Sequence, residues 1–213
     1  MEEHHIRVRR TARYYTLAPA QEPEEVWFVL HGYGQLARYF LRHFDAIQNG
    51  RRLIIAPEAL SRYYLPGHTR VGATWMTRED RLTEIDDYLG YLDTLHDQIF
   101  ERVDRGRVTV HLLGFSQGGA TAIRWATSGR VDADRLTLWA SELPPDLDLA
   151  AHADTIRRSA LTFVVGTEDE FLTPDSLAGQ KALLAEHSIH CRLQTFPGPH
   201  KIDTDTLTLL AGE

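Results

Sequence analysis

A strand-like run that passes through a glycine-flanked serine into a helix-like run is the feature that most limits how this chain can fold. The apolar, β-branched residues 108–113 lead directly into Gly-Phe-Ser-Gln-Gly at residues 114–118, and Gly-Ala-Thr-Ala-Ile follows at residues 119–123. Gly-x-Ser-x-Gly between a strand and a helix is typical of a nucleophile elbow. The turn is so tight that a side chain at either glycine would collide with the strand or the helix. The pattern therefore predicts that Ser116 presents its hydroxyl at the carboxyl end of a strand.

The same motif has a second interpretation, in which Ser116 is an ordinary N-cap and the glycines only close a turn between strand and helix. The apolar run before the motif and the helical pattern after it favour the elbow. In an elbow the backbone N–H of Gln117 lies at a helix N-terminus, where it can bind an oxyanion. Ser116 and Gln117 are therefore the candidates for nucleophile and oxyanion donor.

Length and composition limit the class of protein. The 213 residues are most simply one domain spanning 1–213, with 1–5 as a flexible start, and the 43% of apolar residues can build a sizeable core. No run approaches the roughly 18 consecutive apolar residues of a membrane span, and the first five residues lack the features of a secretory signal. The net charge of −7 and the scattered arginines argue against a nucleic-acid partner.

Cys191 is the only cysteine, which excludes an internal disulfide and fits a reducing, cytoplasmic compartment. It follows no glycine turn, so we expect a structural thiol rather than a nucleophile. His187 and His190 lie close to it in sequence, but no fourth ligand completes a zinc pattern. The sequence therefore predicts no metal site.

Strand-like and helix-like segments alternate along the chain. Strands are predicted at residues 6–9, 13–17, 26–30, 53–56, 108–115, 135–140, 160–165 and 190–196, and helices at residues 36–47, 83–100, 116–127, 174–187 and 202–210. The first two strands suggest an antiparallel edge, whereas a continuous apolar run such as residues 26–30 is typical of a strand buried on both faces of a parallel sheet. The alternation predicts an α/β protein, a three-layer α/β/α sandwich around a mostly parallel sheet. Residues 58–80 lack periodicity and are expected to form a long functional loop.

A serine nucleophile needs a base, which a histidine supplies best when a carboxylate holds its tautomer. The strand at residues 160–165 ends at Gly166, and an acidic loop follows. Asp169 is our choice for the carboxylate, with Glu168 and Glu170 as alternatives. A solvated acidic loop without a catalytic role is the remaining possibility.

His200 is the candidate base. The final strand breaks at Pro-Gly-Pro, residues 197–199, which stiffens the turn that delivers His200, the one histidine in a loop after that strand. His111 lies inside a buried-type strand, so we expect it to be a core residue.

The second oxyanion donor is expected in His-Gly-Tyr-Gly-Gln at residues 31–35, which follows the strand at residues 26–30. A loop of small residues there lets backbone N–H groups face a substrate carbonyl. The N–H of Tyr33 is the better candidate and that of Gly34 the second. His31 is expected to brace the loop.

Four motifs together resemble the phospholipase/carboxylesterase family of small α/β-hydrolases, which includes bacterial esterases and acyl-protein thioesterases. They are Leu-His-Gly-x-Gly, Gly-Phe-Ser-Gln-Gly-Gly, Gly-x-x-Asp-x-x-x-x-Pro and Pro-Gly-x-His, and the resemblance runs from about Val26 to the C-terminus. Residues 58–80 do not follow the family pattern, although Trp75 resembles a tryptophan found there. The acid loop has Thr-Glu-Asp where the family commonly has Asp-x-Asp.

The resemblance implies an α/β-hydrolase fold, a catalytic triad of Ser116, Asp169 and His200, and oxyanion donors at Tyr33 and Gln117. It further implies hydrolysis of carboxylic esters or thioesters without a cofactor. The chain has no room for a large cap domain, so we expect a fairly open groove, roofed at most by residues 58–80. The residues expected to form the acyl groove are Tyr33, Tyr63, Tyr64, Trp75, Met76 and Leu143, and those named as substrate-binding candidates are Gly34, Trp75, Met76 and Leu143.

Core packing or loop anchoring is the alternative for each of these side chains. For the whole protein the leading hypothesis is a serine esterase acting on a small-molecule or acylated substrate. A non-catalytic binding module of the same fold and a small peptidase or amidase remain open.

Overall fold

The computed structural model describes residues 1–212, which form nine strands. In chain order the strands are β1 Tyr14–Leu17, β2 Glu25–Leu30, β3 Arg52–Pro57, β4 Ser61–Tyr64, β5 Val71–Thr74, β6 Thr109–Phe115, β7 Arg135–Trp139, β8 Thr162–Gly166 and β9 Arg192–Phe196. Seven of them form one sheet in the order β1-β3-β2-β6-β7-β8-β9, and β4 pairs with β5 in a separate hairpin.

The large sheet is parallel except at one edge. Strand β1 runs antiparallel to β3, with Tyr14 opposite Pro57, whereas β2, β3, β6, β7, β8 and β9 are parallel to their neighbours. In the pairing of β2 with β6, Leu30 lies opposite Gly114. The loops that follow these two strands therefore leave the sheet side by side at its carboxyl edge.

Helices cover both faces of the sheet. They are α1 Ala37–Phe40, α2 Arg81–Phe100, α3 Gln117–Ser128, α4 Leu149–Arg158, α5 Pro174–Glu186 and α6 Thr204–Ala211, with 3₁₀ turns at Leu41–Ile47 and Arg105–Arg107. Helices α2 to α5 pack on one face, and α1, the 3₁₀ turn that follows it and α6 pack on the other. Val26 and Phe28 of β2 enter the first core, while Trp27 and Val29 enter the second. This alternation along one strand, buried on both sides, confirms the three-layer sandwich.

Side chains at several helix starts explain where the helices begin. Thr173 accepts a hydrogen bond from the N–H of Ser176 and is followed by Pro174 at the first helical position of α5. Asp148 caps α4 in the same way and Asp203 caps α6. Each cap satisfies an N–H that has no partner within its helix.

The structure corrects the sequence-based assignment at four places. Residues 6–9 form no strand, and Ile6 and Val8 are exposed, because no other strand lies beside them. The helix predicted at residues 36–47 divides into the short α1 and a 3₁₀ turn. Residues 58–80 contain the β4–β5 hairpin. Helix α4 was not predicted, although it buries Leu149, Ala153 and Ile156 at helical spacing.

No helix within residues 1–212 combines the length and apolar character needed to cross a lipid bilayer.

Candidate active site

The backbone is strained at Ser116. The residue lies between the end of β6 and the start of α3 with φ 53° and ψ −120°, a region that is normally occupied by glycine. A Cβ at Gly114 would lie 2.1 Å from the carbonyl oxygen of Gly118, and one at Gly118 would lie 2.3 Å from that of Leu30. The turn therefore requires both glycines. The N–H of Ser116 donates to the carbonyl of Trp139 at 2.8 Å, which ties the turn to β7.

A buried Asp169 pairs with a half-buried His200. His200 Nδ1 lies 2.8 Å from Asp169 Oδ2, and the other carboxylate oxygen accepts hydrogen bonds from the N–H groups of Phe171 and Leu172 at 2.9 and 3.1 Å. The Asp169 side chain is 1% exposed. With its proton on Nδ1 and donated to Asp169, the imidazole keeps Nε2 as a free acceptor.

The neighbouring acids do not share this position. Glu168 and Glu170 are exposed, whereas the carboxylate of Asp169 turns inward. The N–H of Asp169 donates to the carbonyl of Gly166 at 3.1 Å, and that of Glu168 donates to Gly198 at 2.9 Å. The bond from Asp169 closes the turn after β8, and the bond from Glu168 joins that loop to the loop that carries His200.

Aromatic rings hold the imidazole of His200 on two sides. Its centroid lies 4.9 Å from that of Phe115, the residue before the serine, and 4.8 Å from that of Phe171. The indole of Trp139 donates to the carbonyl of Lys201 at 2.8 Å and anchors the chain after the histidine. Phe171 was not expected from sequence, although it follows Asp169 by two residues in the same loop.

Ser116 and His200 line one open cavity of about 400 Å³ at the carboxyl edge of the sheet. The other lining residues are Met76, Arg81, Gln117, Ala120, Arg124, Ala140, Ser141, Glu142, Leu143, Pro144, Pro145, Phe171 and Leu172. Within residues 1–212 the Ser116 hydroxyl and His200 Nε2 do not hydrogen-bond to each other. In serine enzymes such a bond often tightens only in the substrate complex.

Among the backbone N–H groups of residues 32–35, that of Tyr33 is the one without a hydrogen bond within residues 1–212. Gly32 N–H donates to the side-chain oxygen of Gln35 at 2.8 Å, Gly34 N–H to the carbonyl of Ala73 at 2.9 Å, and Gln35 N–H to the carbonyl of Gly32 at 3.2 Å. The Tyr33 N–H has no hydrogen bond within the described part of the chain. These bonds favour Tyr33 over Gly34 as an oxyanion donor.

His31 is a buried brace for this loop. The N–H of Ala59 donates to His31 Nε2 at 3.1 Å, so the ring proton is on Nδ1, which donates to the carbonyl of Gly32 at 2.8 Å. Burial lowers the pKa of His31 to about 4, so the ring is neutral near pH 7.

The substrate-binding candidates are divided among three places. Met76 and Leu143 line the cavity that holds Ser116. Trp75 is buried in the core, and its indole donates to the carbonyl of His31 at 2.8 Å. Gly34 borders a different cavity, of about 610 Å³, beside α1 and the hairpin.

The three tyrosines expected in an acyl groove lie outside the cavity lining. Tyr33 is exposed and its ring packs against that of Tyr63 at 5.4 Å. Tyr64 is exposed at the end of β4, with its ring 5.9 Å from that of His68. The structure therefore brings Met76 and Leu143 to the serine, and not these aromatic side chains.

Two arginines in the cavity wall were not expected from sequence. Arg124 and Arg81 donate to Asp146 at 2.7 and 2.6 Å, and hydrogen bonding to Arg124 holds the pKa of the Asp146 carboxyl well below its usual range. Helical spacing could have revealed Arg124, since Gln117, Ala120 and Arg124 share one face of α3.

The other titratable candidates are structural. His111 stacks on Trp27 with centroids 4.0 Å apart, and burial lowers its pKa to about 4. Cys191 is half-buried, and desolvation raises the pKa of its thiol. Within residues 1–212 the one group of three potential metal ligands is Glu3, His5 and Asp80, all exposed.

Residues 28–208 match the model of a family described as the alpha/beta hydrolase family. Because the match covers most of the chain, the protein belongs to that family. A search by sequence among curated proteins finds no match.

The fold is shared with several solved esterases and thioesterases. Acyl-protein thioesterase 2 of Zea mays superimposes with a TM-score of 0.74 at 15% identity, over 95% of this chain and 97% of that one. A carboxylesterase from Mesorhizobium loti gives 0.71 at 18% identity, over 95% of each chain. The carboxylesterase of Bacillus cereus gives 0.69 at 12% identity, over 94% of this chain and 92% of that one. At these identities the likeness concerns the fold, and it agrees with the family that the motifs indicated.

Proposed function

We propose that this protein is a serine hydrolase that cleaves carboxylic esters or thioesters through an acyl-enzyme intermediate. One observation carries the proposal. Ser116, in a strained turn, lines the same cavity as His200, whose Nδ1 is 2.8 Å from Asp169. A conformation that costs free energy and exposes a hydroxyl beside an oriented imidazole is expected at a catalytic site.

In the acylation step Ser116 Oγ attacks the carbonyl carbon, and His200 Nε2 takes the hydroxyl proton. The developing oxyanion accepts hydrogen bonds from the N–H groups of Gln117 and Tyr33, each contributing about 3–4 kcal/mol to the transition state. When the tetrahedral intermediate collapses, the bond to the alcohol or thiol breaks and His200 returns the proton to that leaving group.

Deacylation repeats the chemistry with water. His200 takes a proton from a water molecule, the hydroxide attacks the acyl carbon, and the bond to Ser116 Oγ breaks with return of the proton to the serine. The carboxylate of Asp169 holds the imidazole in the required tautomer in both steps. The proposal requires neither a metal nor a cofactor.

The acyl group would contact the apolar part of the cavity wall. Met76, Leu143 and Phe171 supply apolar surface there, and the open shape leaves room for a bulky alcohol or thiol portion. We place the reaction in the cytoplasm on the strength of the single free thiol at Cys191.

The test is hydrolysis of p-nitrophenyl esters of increasing acyl length, together with the matching thioesters. We expect Ser116→Ala to lower kcat/KM by about 10⁴-fold or more. Ser128→Ala, an exposed serine at the far end of α3, is the control that should keep wild-type activity. Equal rates for wild type and Ser116→Ala would refute the assignment.

A fluorophosphonate probe separates an enzyme from a binding module of the same fold. The probe should attach to Ser116 in the wild type and should not label Ser116→Ala. Labelling together with faster cleavage of anilides than of esters would instead indicate an amidase. In that reaction His200 would have to protonate the amine leaving group as it departs.

A further inference from the structure

The side chain of Gln117 is fixed by hydrogen bonds to the residues at the end of β5. Its Oε1 accepts from the N–H of Trp75 at 3.0 Å, and its Nε2 donates to the carbonyl of Met76 at 2.7 Å. The hydroxyl of Thr74 lies about equally close to both amide atoms, at 3.1 and 3.0 Å. Because a backbone N–H can only donate and a carbonyl can only accept, the orientation of the amide is determined.

The same strand holds the loop that carries Tyr33. Gly34 N–H donates to the carbonyl of Ala73 at 2.9 Å, and Ala73 N–H donates to the carbonyl of Gln35 at 3.0 Å. The backbones approach so closely that a Cβ at Gly72 would lie 2.5 Å from the carbonyl oxygen of Gly34. Residues 72–76 are thus bonded on one side to the loop after β2 and on the other to the first residue of α3.

We propose that Gln117 is a positioning residue whose side-chain amide, acting through β5, fixes the distance between the N–H groups of Gln117 and Tyr33. This inference rests on the proposed function, since it assigns both groups to an oxyanion hole. We call this hydrogen-bonded group the oxyanion clamp. It consists of Ala73, Thr74, Trp75, Met76 and the Gln117 side chain.

A clamp is needed because the sheet does not extend to the two donors. The paired register of β2 and β6 ends at Leu30 and Gly114, short of both Tyr33 and Gln117. Beyond that point the donors belong to separate segments, a loop and a helix start. Each donor must lie about 2.7–3.1 Å from the oxyanion, and a displacement of about 1 Å can cost about 10²-fold in rate.

Gln117→Met tests the clamp, because methionine has a similar length and lacks both hydrogen-bonding groups. The backbone N–H at position 117 remains. The matched control is Gln48→Met, where Oε1 accepts from the N–H of Gly50 at 2.9 Å and Nε2 donates to the carbonyl of Arg52 at 2.8 Å. The control loses the same two kinds of hydrogen bond at the start of β3, away from the cavity.

We expect Gln117→Met to lower kcat by about 10- to 100-fold while KM changes by less than about threefold, because the lost interaction acts on the transition state. The inhibition constant of a trifluoromethyl ketone, whose serine adduct carries an oxyanion, should rise by the same factor as kcat/KM falls. Gln48→Met should lower the melting temperature and leave kcat and that inhibition constant at wild-type values.

Thr74→Val provides a second variant that removes only the hydroxyl. It should lower kcat by a smaller factor than Gln117→Met does. The kcat of the double variant should be no lower than that of Gln117→Met alone, because both substitutions disrupt the same hydrogen-bond network. If Gln117→Met fails to fold, the kcat and ketone affinity of Thr74→Val decide the matter.

Wild-type kcat and ketone affinity in a folded Gln117→Met variant, or in Thr74→Val if the former does not fold, would overturn the inference and leave the proposed function intact. A wild-type protein that neither hydrolyses esters nor reacts with the fluorophosphonate would overturn both.

Discussion

For single residues, the arrangement around His200 is the most informative. Its Nδ1 faces Asp169, its ring is held between Phe115 and Phe171, and Nε2 remains available toward the cavity. In sequence, each of the three acidic residues after β8 could supply the carboxylate. In the structure they differ in the direction of their side chains, because the backbone turn fixes where each one faces. The turn formed by the bond from Asp169 N–H to Gly166 directs the middle side chain inward.

Asp169→Asn should lower kcat/KM by about 10³- to 10⁴-fold with little change in fold. The asparagine oxygen can still accept from the N–H groups of Phe171 and Leu172. Its NH₂ group then faces His200 and places the ring proton on Nε2, where the imidazole cannot take the serine proton. Steady-state kinetics with a p-nitrophenyl ester measure the effect.

Asp203→Asn is the matched control, because Asp203 also accepts from a backbone N–H, that of Thr206, as the N-cap of α6. It should keep wild-type kcat/KM. Retention of more than about a tenth of the activity by Asp169→Asn would exclude Asp169 as the orienting carboxylate.

At the scale of elements, the strand–turn–helix unit around Ser116 stores strain. Its φ and ψ belong to a region that is nearly restricted to glycine. The unit is recognisable in sequence because the two glycines, the apolar strand and the helix are adjacent in the chain. The strain itself is a property of the folded turn, which the packing of Gly118 against β2 maintains.

Ser116→Gly should raise the free energy of unfolding by about 1 kcal/mol and abolish hydrolysis. Glycine relieves a backbone cost of about 1–3 kcal/mol, and its greater freedom in the unfolded chain offsets part of the gain. Ser116→Ala removes the same hydroxyl and keeps the strain, so it should not be stabilised in this way. Urea unfolding of the two variants measures the difference, and a Ser116→Gly protein less stable than Ser116→Ala would contradict it.

Other elements show the limits of local patterns. The β4–β5 hairpin was not predicted, because Pro66, Gly67 and the polar residues near its tip conceal two strands of four residues each. That hairpin nevertheless bonds both to the loop that carries Tyr33 and to the Gln117 side chain. Helix α4 did carry a readable signal, with Leu149, Ala153 and Ile156 on one face, and the prediction overlooked it.

For the whole molecule, buried neutral histidines couple stability to pH. Burial lowers the pKa of His31 and of His111 from 6.5 to about 4, and it lowers that of His43 as well. Since these folded-state pKa values lie below the unfolded value, the unfolded chain binds more protons between pH 4 and 6.5. The stabilisation is complete above pH 6.5 and is lost as the pH falls toward 4.

The free energy of unfolding should therefore decrease from about pH 6.5 to about pH 4.5, by roughly 2 kcal/mol for each of His31 and His111. Urea unfolding at a series of pH values measures this slope. His111→Phe keeps a ring against Trp27 and removes one titrating group, so the slope should become shallower. A stability that does not change over this range would contradict the assignment of both rings as buried and neutral.

The sequence alone determined the α/β architecture and the family, and it supplied the candidate site residues that a local pattern can indicate. The order of strands and helices, the glycines of the elbow, the stiff turn before His200 and the family resemblance are all local patterns, because hydrophobic period and turn geometry act over a few residues.

Only the tertiary structure decided which of these positions meet. It placed Met76 and Leu143 beside Ser116 while burying Trp75, selected Asp169 as the partner of His200, and joined the Gln117 side chain to β5. The hydrogen bonds behind these outcomes join residues that are between 31 and 44 positions apart in the chain. A hydrogen bond of this kind depends on the packing of whole elements, which no local pattern specifies.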